Sequence, residues 1–294
     1  MAERDPFQRY LKRMAAIGFK PSSTLGQNFL LDPSLHRWIA DCAGPTAADT
    51  VVEIGVGLGF LTRELAVRAG RVVGVEIDDR LLTIAREELA EHDNVHWVAA
   101  DALSGPGRTL APAIGEAARS AVAAGGRCLF VANLPYSVSG PLLAELTALE
   151  PLPERAVLLV QKELAQRIAA RPGTREYGSL AANVQAVYRA QVLRDVAPQV
   201  FRPRPKVVSS VLQLDRRADA PAVLATGEAR REFGVFVRQL FQQRRKVLRT
   251  TLAAAAAAIG KKQPRLGETD SRSRAEQHGA ETLVGWWAAC EPAG

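Results

Sequence analysis

Val51-Val52-Glu53-Ile54-Gly55-Val56-Gly57-Leu58-Gly59-Phe60 decides how this 294-residue chain folds. An apolar run ends in three alternating glycines and then a helix-forming segment. Glycines at such a place let the backbone turn sharply and come close to a ligand. Thr50–Ile54 is therefore expected as a buried strand. Working outward, similar apolar runs recur at Arg71–Ile77, Val95–Ala99, Cys128–Ala132 and Arg155–Val160. Helix-length segments such as Thr62–Ala69 and Arg80–Glu91 lie between the first four. Buried strands alternating with helices predict a mainly parallel sheet covered on both faces. Val187–Val196 and Val207–Leu214 alternate more and are joined by a Pro-rich loop. They are expected as an antiparallel pair at the end of that sheet.

The strand ends carry the polar residues. The second strand ends Val75-Glu76-Ile77-Asp78, about 20 residues after the glycine loop, where a carboxylate can accept both ribose hydroxyls of a nucleoside cofactor. The third ends Ala99-Ala100-Asp101-Ala102, which places Asp101 to hold an adenine amino group. Gly55, Glu76 and Asp101 then share one edge of the sheet, where such folds bind ligands. A dinucleotide fingerprint wants a small residue at position 60, and Phe60 disfavours a nucleotide-dependent oxidoreductase. The Gly-x-Gly-x-Gly form preceded by Glu53 instead resembles the first motif of S-adenosylmethionine-dependent methyltransferases.

The fourth strand runs into Asn133-Leu134-Pro135-Tyr136. Taken alone this is a proline turn after a strand. In this layout it has a chemical reading. An exocyclic adenine amine is a poor nucleophile because its lone pair is delocalised into the ring. The Asn133 side-chain oxygen and a backbone carbonyl near Leu134 can accept its two N–H bonds. That favours a pyramidal nitrogen with its lone pair turned toward a sulfonium methyl. Pro135 donates no N–H and stiffens the loop, and Tyr136 offers a ring on which the base can stack. Catalysis of this kind is positioning and electrostatics, without a strong base.

With these residues in place the chain resembles the ribosomal RNA adenine N6,N6-dimethyltransferase family, most closely its bacterial small-subunit (16S) branch. The resemblance runs almost end to end. It is carried by Gly26-Gln27-Asn28-Phe29-Leu30, Glu53 to Gly59, Glu76, Asp101, Asn133 to Tyr136, Gln161-Lys162-Glu163 and Tyr177-Gly178-Ser179-Leu180. It continues through Phe201-Arg202-Pro203-Arg204-Pro205-Lys206-Val207 with Ser209 and Val211, then Phe241-Gln242-Gln243-Arg244-Arg245-Lys246 and Arg274-Ala275-Glu276. The resemblance implies that Asn28, Leu30, Gly55, Gly57, Glu76, Asp101 and Asn133 bind S-adenosylmethionine. It implies that Asn133, Leu134, Pro135 and Tyr136 form the catalytic loop and that Tyr136 and Phe201 flank a flipped adenine. Extrusion of a base costs a few kcal/mol, which stacking partly offsets. The implied targets are two adjacent adenosines near the 3′ end of 16S rRNA, in the small ribosomal subunit or its precursor. Three departures stand out. Val56 replaces a usual Pro, Ala181 replaces a frequent Ser, and Ser104–Arg127 is a Gly/Ala-rich, poorly patterned insertion to which no role is assigned.

Charge divides the chain. Arg202 to Lys262 holds 14 Lys+Arg against 4 Asp+Glu, while the whole chain nets only +7, so the basic excess lies in one third of it. A polyanionic partner, nucleic acid above all, is the natural reading. Residues 216–227 look like a loop, and Glu228–Phe241, Arg244–Ile259 and Ala280–Cys290 look like helices. The expected architecture is a Rossmann-like α/β sheet of the class I methyltransferase type over residues 1–215, with a small all-helical RNA-binding domain over 216–294. Arg244, Arg245 and Lys246 are expected to touch RNA phosphates. As a helix start they would oppose the helix dipole, which disfavours a purely structural role.

Several classes are excluded or disfavoured. No apolar stretch is long enough to span a membrane, and Met1–Tyr10 has no apolar signal core. Cys42, Cys128 and Cys290 are odd in number and widely spaced, which fits a reducing cytoplasm rather than a disulfide framework. The histidines do not cluster, and no metal site is expected, His92 and His96 included. No exposed apolar stripe calls for an obligate partner, so a monomer is expected. Two alternatives stay open: a 23S rRNA adenine methyltransferase of the macrolide-resistance type, and a non-enzymatic ribosome-assembly or transcription factor on the same fold.

Overall fold

The computed structural model describes residues 6–19 and 27–292. Gly26, the first residue of the Gly26–Leu30 motif, lies outside them. Helix α1 (Pro6–Ala16) and the short strand β1 (Phe29–Leu30) lead to α2 (Pro33–Ala43). Helix α2 starts where the Asp32 carboxylate accepts from the Ser34 and Leu35 backbone N–H groups, at 2.9 and 3.3 Å. Such a cap satisfies donors that have no helical partner. The chain then alternates through β2 (Thr50–Ile54), α3 (Phe60–Ala66), β3 (Arg71–Glu76), α4 (Asp79–Glu88), β4 (Val95–Ala99), α5 (Pro112–Ala123), β5 (Cys128–Asn133), α6 (Ser139–Leu146) and β6 (Arg155–Gln161). These five strands lie in the order β4-β3-β2-β5-β6, and every pairing among them is parallel.

The expected strands appear within a residue or so of their places. All five residues of β2 are buried, as are five of the six in β5. That explains their continuous apolar character: a strand covered on both faces has no polar side to show. Val51, Leu129, Val131, Val157 and Leu159 share one face with Ile39 of α2 and Leu61 and Leu65 of α3. On the other face Val52, Phe130 and Leu158 are buried as well, and α5 packs on β2 and β5. Strand order reverses between β2 and β5. The chain fills one side through β3 and β4 and then returns, and the crevice beyond these two strands is where open α/β sheets bind ligands.

Helix α5 corrects the view of Ser104–Arg127 as a patternless insertion. It is the crossover from β4 to β5, and its buried face is Ile114, Gly115, Ala117, Ala118 and Ala121. Its buried stripe recurs at helical spacing, but Ala and Gly supply most of it, and such small residues mark a core face weakly.

Beyond β6 come α7 (Lys162–Ile168), α8 (Ser179–Val187), β7 (Tyr188–Val196), β8 (Phe201–Arg202) and β9 (Ser209–Arg216). Strand β9, then β7, completes a seven-stranded sheet beside β6. Strand β8 pairs antiparallel with β1, with Phe201 opposite Leu30.

The tail holds α9 (Gly227–Leu240), α10 (Leu248–Ala257), β10 (Lys261–Lys262), α11 (Glu268–Arg272), α12 (Ala280–Ala288) and β11 (Glu291–Pro292). The chain divides into two compact units. One comprises residues 1–142, 153–162 and 193–213, and the other 143–152, 163–192 and 214–294. This differs from two consecutive segments, because 143–152 and 163–192 join the tail. The tail is also not wholly helical, since β10 and β11 pair. The expected helix Arg244–Ile259 begins only at Leu248. Arg244, Arg245 and Lys246 sit instead in the turn between α9 and α10, with Lys246 directly before the Val247 cap.

Arg230 organises the second unit. It is 3% exposed, and its guanidinium donates to the carbonyls of Thr147 (2.7 Å), Leu149 (2.7 Å), Leu224 (2.8 Å) and Ala225 (2.7 Å). One planar fork thus satisfies four carbonyl acceptors from two distant segments, which no point-like ammonium can do. Replacement of Arg230 by Met strands these carbonyls and is expected to cost about 3 kcal/mol or more of unfolding free energy. Arg230→Lys should recover only part of it. Urea titrations of the two variants check both statements.

Candidate functional site

The glycine loop closes over the end of β2. Gly55, Gly57 and Gly59 all have positive φ, at 78°, 58° and 79°. A Cβ on Gly57 would press within 3.2 Å of the Phe29 ring, and one on Gly59 would meet Leu89 Cδ1 at 2.9 Å. The first two glycines bring backbone to the cavity. The third lets the start of α3 lie against Ala85 and Leu89. Val56 is buried, with its methyl 2.7 Å from where a Gly74 Cβ would lie. It thus fills space over β3.

Glu76 holds the loop in shape. One carboxylate oxygen accepts from Gly57 N at 2.9 Å, and the other from Ile77 N at 3.0 Å and Asp78 N at 3.2 Å. Burial raises this carboxyl, and the three backbone donors oppose the shift. Asp101 turns one oxygen to Leu103 N at 2.9 Å. At the end of β5, the Asn133 amide nitrogen donates to the Asn28 carbonyl at 3.0 Å. That bond directs the opposite edge of the carboxamide, its oxygen, elsewhere as an acceptor. The Pro135 carbonyl is already taken by Ser139 Oγ at 2.9 Å and Val138 N at 3.2 Å. The Leu134 carbonyl accepts no hydrogen bond from the described residues. Tyr136 Oη lies 2.6 Å from Ser209 Oγ, and burial raises its phenol, so it stays neutral.

These groups line one cavity of about 250 Å³, with Gln27, Asn28, Gly55, Gly57, Glu76, Asp101 and Asn133 through Val138 around it. Val75, Ile77 and Leu81 add apolar wall. Two carboxylates, exposed loop backbone and apolar surface suit a nucleoside with ribose hydroxyls and a flat base. Sequence reasoning missed Ile77, Ala102, Val138 and Arg108 in this lining. Ile77 was in plain view beside Glu76. Arg108 carried no signal, because its segment had no recognised pattern.

Two expected site residues lie elsewhere. Phe201 is 0% exposed and packs in the core with Leu30 and Val211. The cavity's lining does not include it. Leu30, 3% exposed, also belongs to that core and reaches only a smaller adjoining cavity of about 40 Å³. The basic triplet splits by role. Arg244 Nε donates to Glu276 at 2.7 Å and its Nη1 to the Arg175 carbonyl at 3.1 Å. Arg245 and Lys246 are exposed. Among the described residues no cluster of three or more His, Cys, Asp or Glu side chains could hold a metal. None of their helices is long and apolar enough to cross a membrane.

The smaller cavity exposes a buried acid. Glu53 is 1% exposed, and its Oε2 has no hydrogen-bond partner among the described residues. Burial pushes its carboxyl up to about 8, and burial lowers nearby His36 to about 4. Both are neutral near pH 7. A raised carboxyl favours folding only while it stays protonated. As pH climbs from the usual glutamate range to about 8, the unfolded chain ionises first and stability falls. Glu53→Gln should abolish that decline, worth about 1.4 kcal/mol per pH unit at most, and raise the melting temperature at mildly alkaline pH. Thermal melts across that range check it.

Comparison with known proteins agrees with this geometry. The family model for ribosomal RNA adenine dimethylase matches residues 18–264. The ribosomal RNA small subunit methyltransferase A of Geobacillus thermodenitrificans (strain NG80-2) is 41% identical over 241 residues, 81% of this chain and 78% of that one. Its counterpart from Moorella thermoacetica (strain ATCC 39073 / JCM 9320) is 40% identical over 286 residues, 94% of each. Among solved structures, a dimethyladenosine transferase from Plasmodium falciparum superposes with a TM-score of 0.67 at 22% identity, covering 87% of this chain and 94% of that one. The 23S rRNA methyltransferase ErmE superposes with a TM-score of 0.59 at 27% identity, covering 87% and 98%. The sheet is thus that of the class I methyltransferases. A glycine loop, two strand-end carboxylates and an Asn-Leu-Pro-Tyr turn round one cavity place this chain in the ribosomal RNA adenine dimethylase family.

Proposed function

We propose that this chain transfers methyl groups from S-adenosylmethionine to the N6 amines of two adjacent adenosines near the 3′ end of 16S rRNA. The reaction belongs to ribosome biogenesis in the cytoplasm, with the small subunit or its precursor as substrate. The observation that carries this reading is Asn133: its amide nitrogen is tied to Asn28 while it faces a cavity shared with Glu76 and Asp101. The small-subunit names of relatives about 40% identical support the choice of RNA.

Bound S-adenosylmethionine would supply an electrophilic methyl on a sulfonium sulfur. The chain's own residues do the rest. Glu76 and Asp101 hold the nucleoside part, and the Gly55–Gly57 backbone approaches it. The Asn133 Oδ1 and Leu134 carbonyl oxygens accept the adenine N–H bonds and concentrate the amine's lone pair. The acceptor base stacks on Tyr136. The alkylated nitrogen is acidic and releases its proton to solvent, so no side chain need act as a strong base. The second methylation starts with one N–H fewer, so Asn133 or the Leu134 carbonyl loses a partner and the pocket must yield to the added methyl. Arg245 and Lys246 meet RNA phosphates, while Arg244 braces the turn through Glu276.

Methyl transfer from labelled S-adenosylmethionine to ribosomal subunits lacking these modifications tests the reading. N6,N6-dimethyladenosine in the small subunit alone is expected. Label in the large subunit would move the chain to the 23S-modifying branch, and no label despite cofactor binding would favour a non-enzymatic factor. Asn133→Ala should keep cofactor affinity within about tenfold yet lose most turnover. Arg245→Glu combined with Lys246→Glu should weaken subunit binding and reduce the logarithmic salt slope by about 2. Arg244→Glu should act more on the melting temperature than on that slope.

A further inference from the structure

Strand β9 begins with two serines, Ser209 and Ser210, both 0% exposed. Successive residues of a strand face opposite sides, and these two find different partners. Ser210 Oγ donates to Asp195 at 2.6 Å, and Lys162 Nζ meets the other oxygen of that carboxylate at 2.6 Å. Ser209 Oγ lies 2.6 Å from the Tyr136 phenol, 73 residues away in the chain. A fully buried hydroxyl requires such a partner.

The catalytic loop's backbone is fixed without Ser209. Leu134 N donates to the Leu159 carbonyl at 3.1 Å, and Ser139 and Val138 hold the Pro135 carbonyl. Those bonds do not set the direction of the Tyr136 ring. The phenol contact with Ser209 is the side-chain hydrogen bond that does so among the described residues. Two torsions separate the ring from the backbone. The phenol oxygen lies on the axis of the second, so a tether there fixes the first and holds the ring at a place that the backbone alone leaves open.

We propose that Ser209 is a positioning residue for methyl transfer, whose buried hydroxyl holds the Tyr136 ring in the place where the acceptor adenine stacks against it. The proposal rests on the reading of Tyr136 as the stacking wall. Ser209 itself touches neither base nor cofactor. Its effect falls on the orientation of the bound base, and so on kcat rather than on the affinity for S-adenosylmethionine.

Four variants decide the matter: Ser209→Ala, Ser209→Thr, Tyr136→Phe and the Ser209→Ala/Tyr136→Phe double. Turnover on undermethylated small subunits and calorimetric affinity for S-adenosylmethionine are measured for each. Ser209→Ala should lower kcat about tenfold with cofactor affinity unchanged within about twofold. Ser209→Thr, which keeps the hydroxyl, should restore most of the turnover. Tyr136→Phe should lose a similar factor. The double should be no worse than the poorer single, because both changes remove one bond. Multiplying losses in the double, or wild-type kcat in Ser209→Ala, would overturn the proposal. Tyr136→Ala separates the two layers. Wild-type turnover there defeats the stacking reading itself. Lost turnover there beside a fully active Ser209→Ala defeats the role of Ser209 alone.

Discussion

The site depends on the parallel register of three strands. β2, β3 and β5 run side by side in one direction, with Ile54 opposite Val75 and Glu53 opposite Val131. Their carboxyl ends therefore finish at one level. The glycine loop, Glu76 and Asn133 leave the sheet together, and the reversal of strand order between β2 and β5 opens a crevice for them. A slip of one residue in any of these strands would turn its core side chains to the wrong face. Burial on both faces thus protects the site as firmly as it protects the core.

Within that frame, Glu76 makes the loop and the ligand surface one object. Its carboxylate gathers three backbone N–H groups, so the glycine turn is shaped before any ligand arrives. Preorganised donors and acceptors of this kind need little rearrangement when charge develops. Glu53 lies one shell deeper and follows the opposite logic. With an oxygen unpartnered and the side chain 1% exposed, it is cheapest when protonated. Two glutamates on neighbouring strands are thus separated by their surroundings: one is rich in donors, the other starved of them.

The basic tail shows the same separation by context. Three consecutive cations look equivalent in sequence. In the fold all three are exposed, but Arg244 is paired with Glu276 and a backbone carbonyl, whereas Arg245 and Lys246 have no such partner among the described residues. Buried Arg230 is further from any solvent role. It contributes to the basic excess of the segment but serves as a four-carbonyl tie. Net charge is thus a guide to a partner and a poor guide to which cations meet it.

The sequence by itself determined the parallel sheet, the strand-end carboxylates and the Asn133–Tyr136 loop. Each rests on local chemistry: apolar runs too short and too continuous for exposed helices, glycines spaced for a tight turn, and a proline that forbids a further strand pairing. It also carried the family resemblance almost end to end. It did not reveal α5, because the buried stripe of that helix is mostly Ala and Gly and scarcely stands out as a core face. It placed the basic triplet at a helix start, because the turn before Leu248 is held by long-range partners, Glu276 and Ser273, that no window of residues contains. The resemblance assigned Phe201 to the acceptor base, and nothing local in the sequence shows that its ring is buried. Only the tertiary structure decided that Phe201 pairs with Leu30, and that the phenol of Tyr136 answers to Ser209. The physical reason is common to these cases. Periodicity and turn chemistry act over a few residues, whereas the side a buried group faces is fixed by partners tens of residues away.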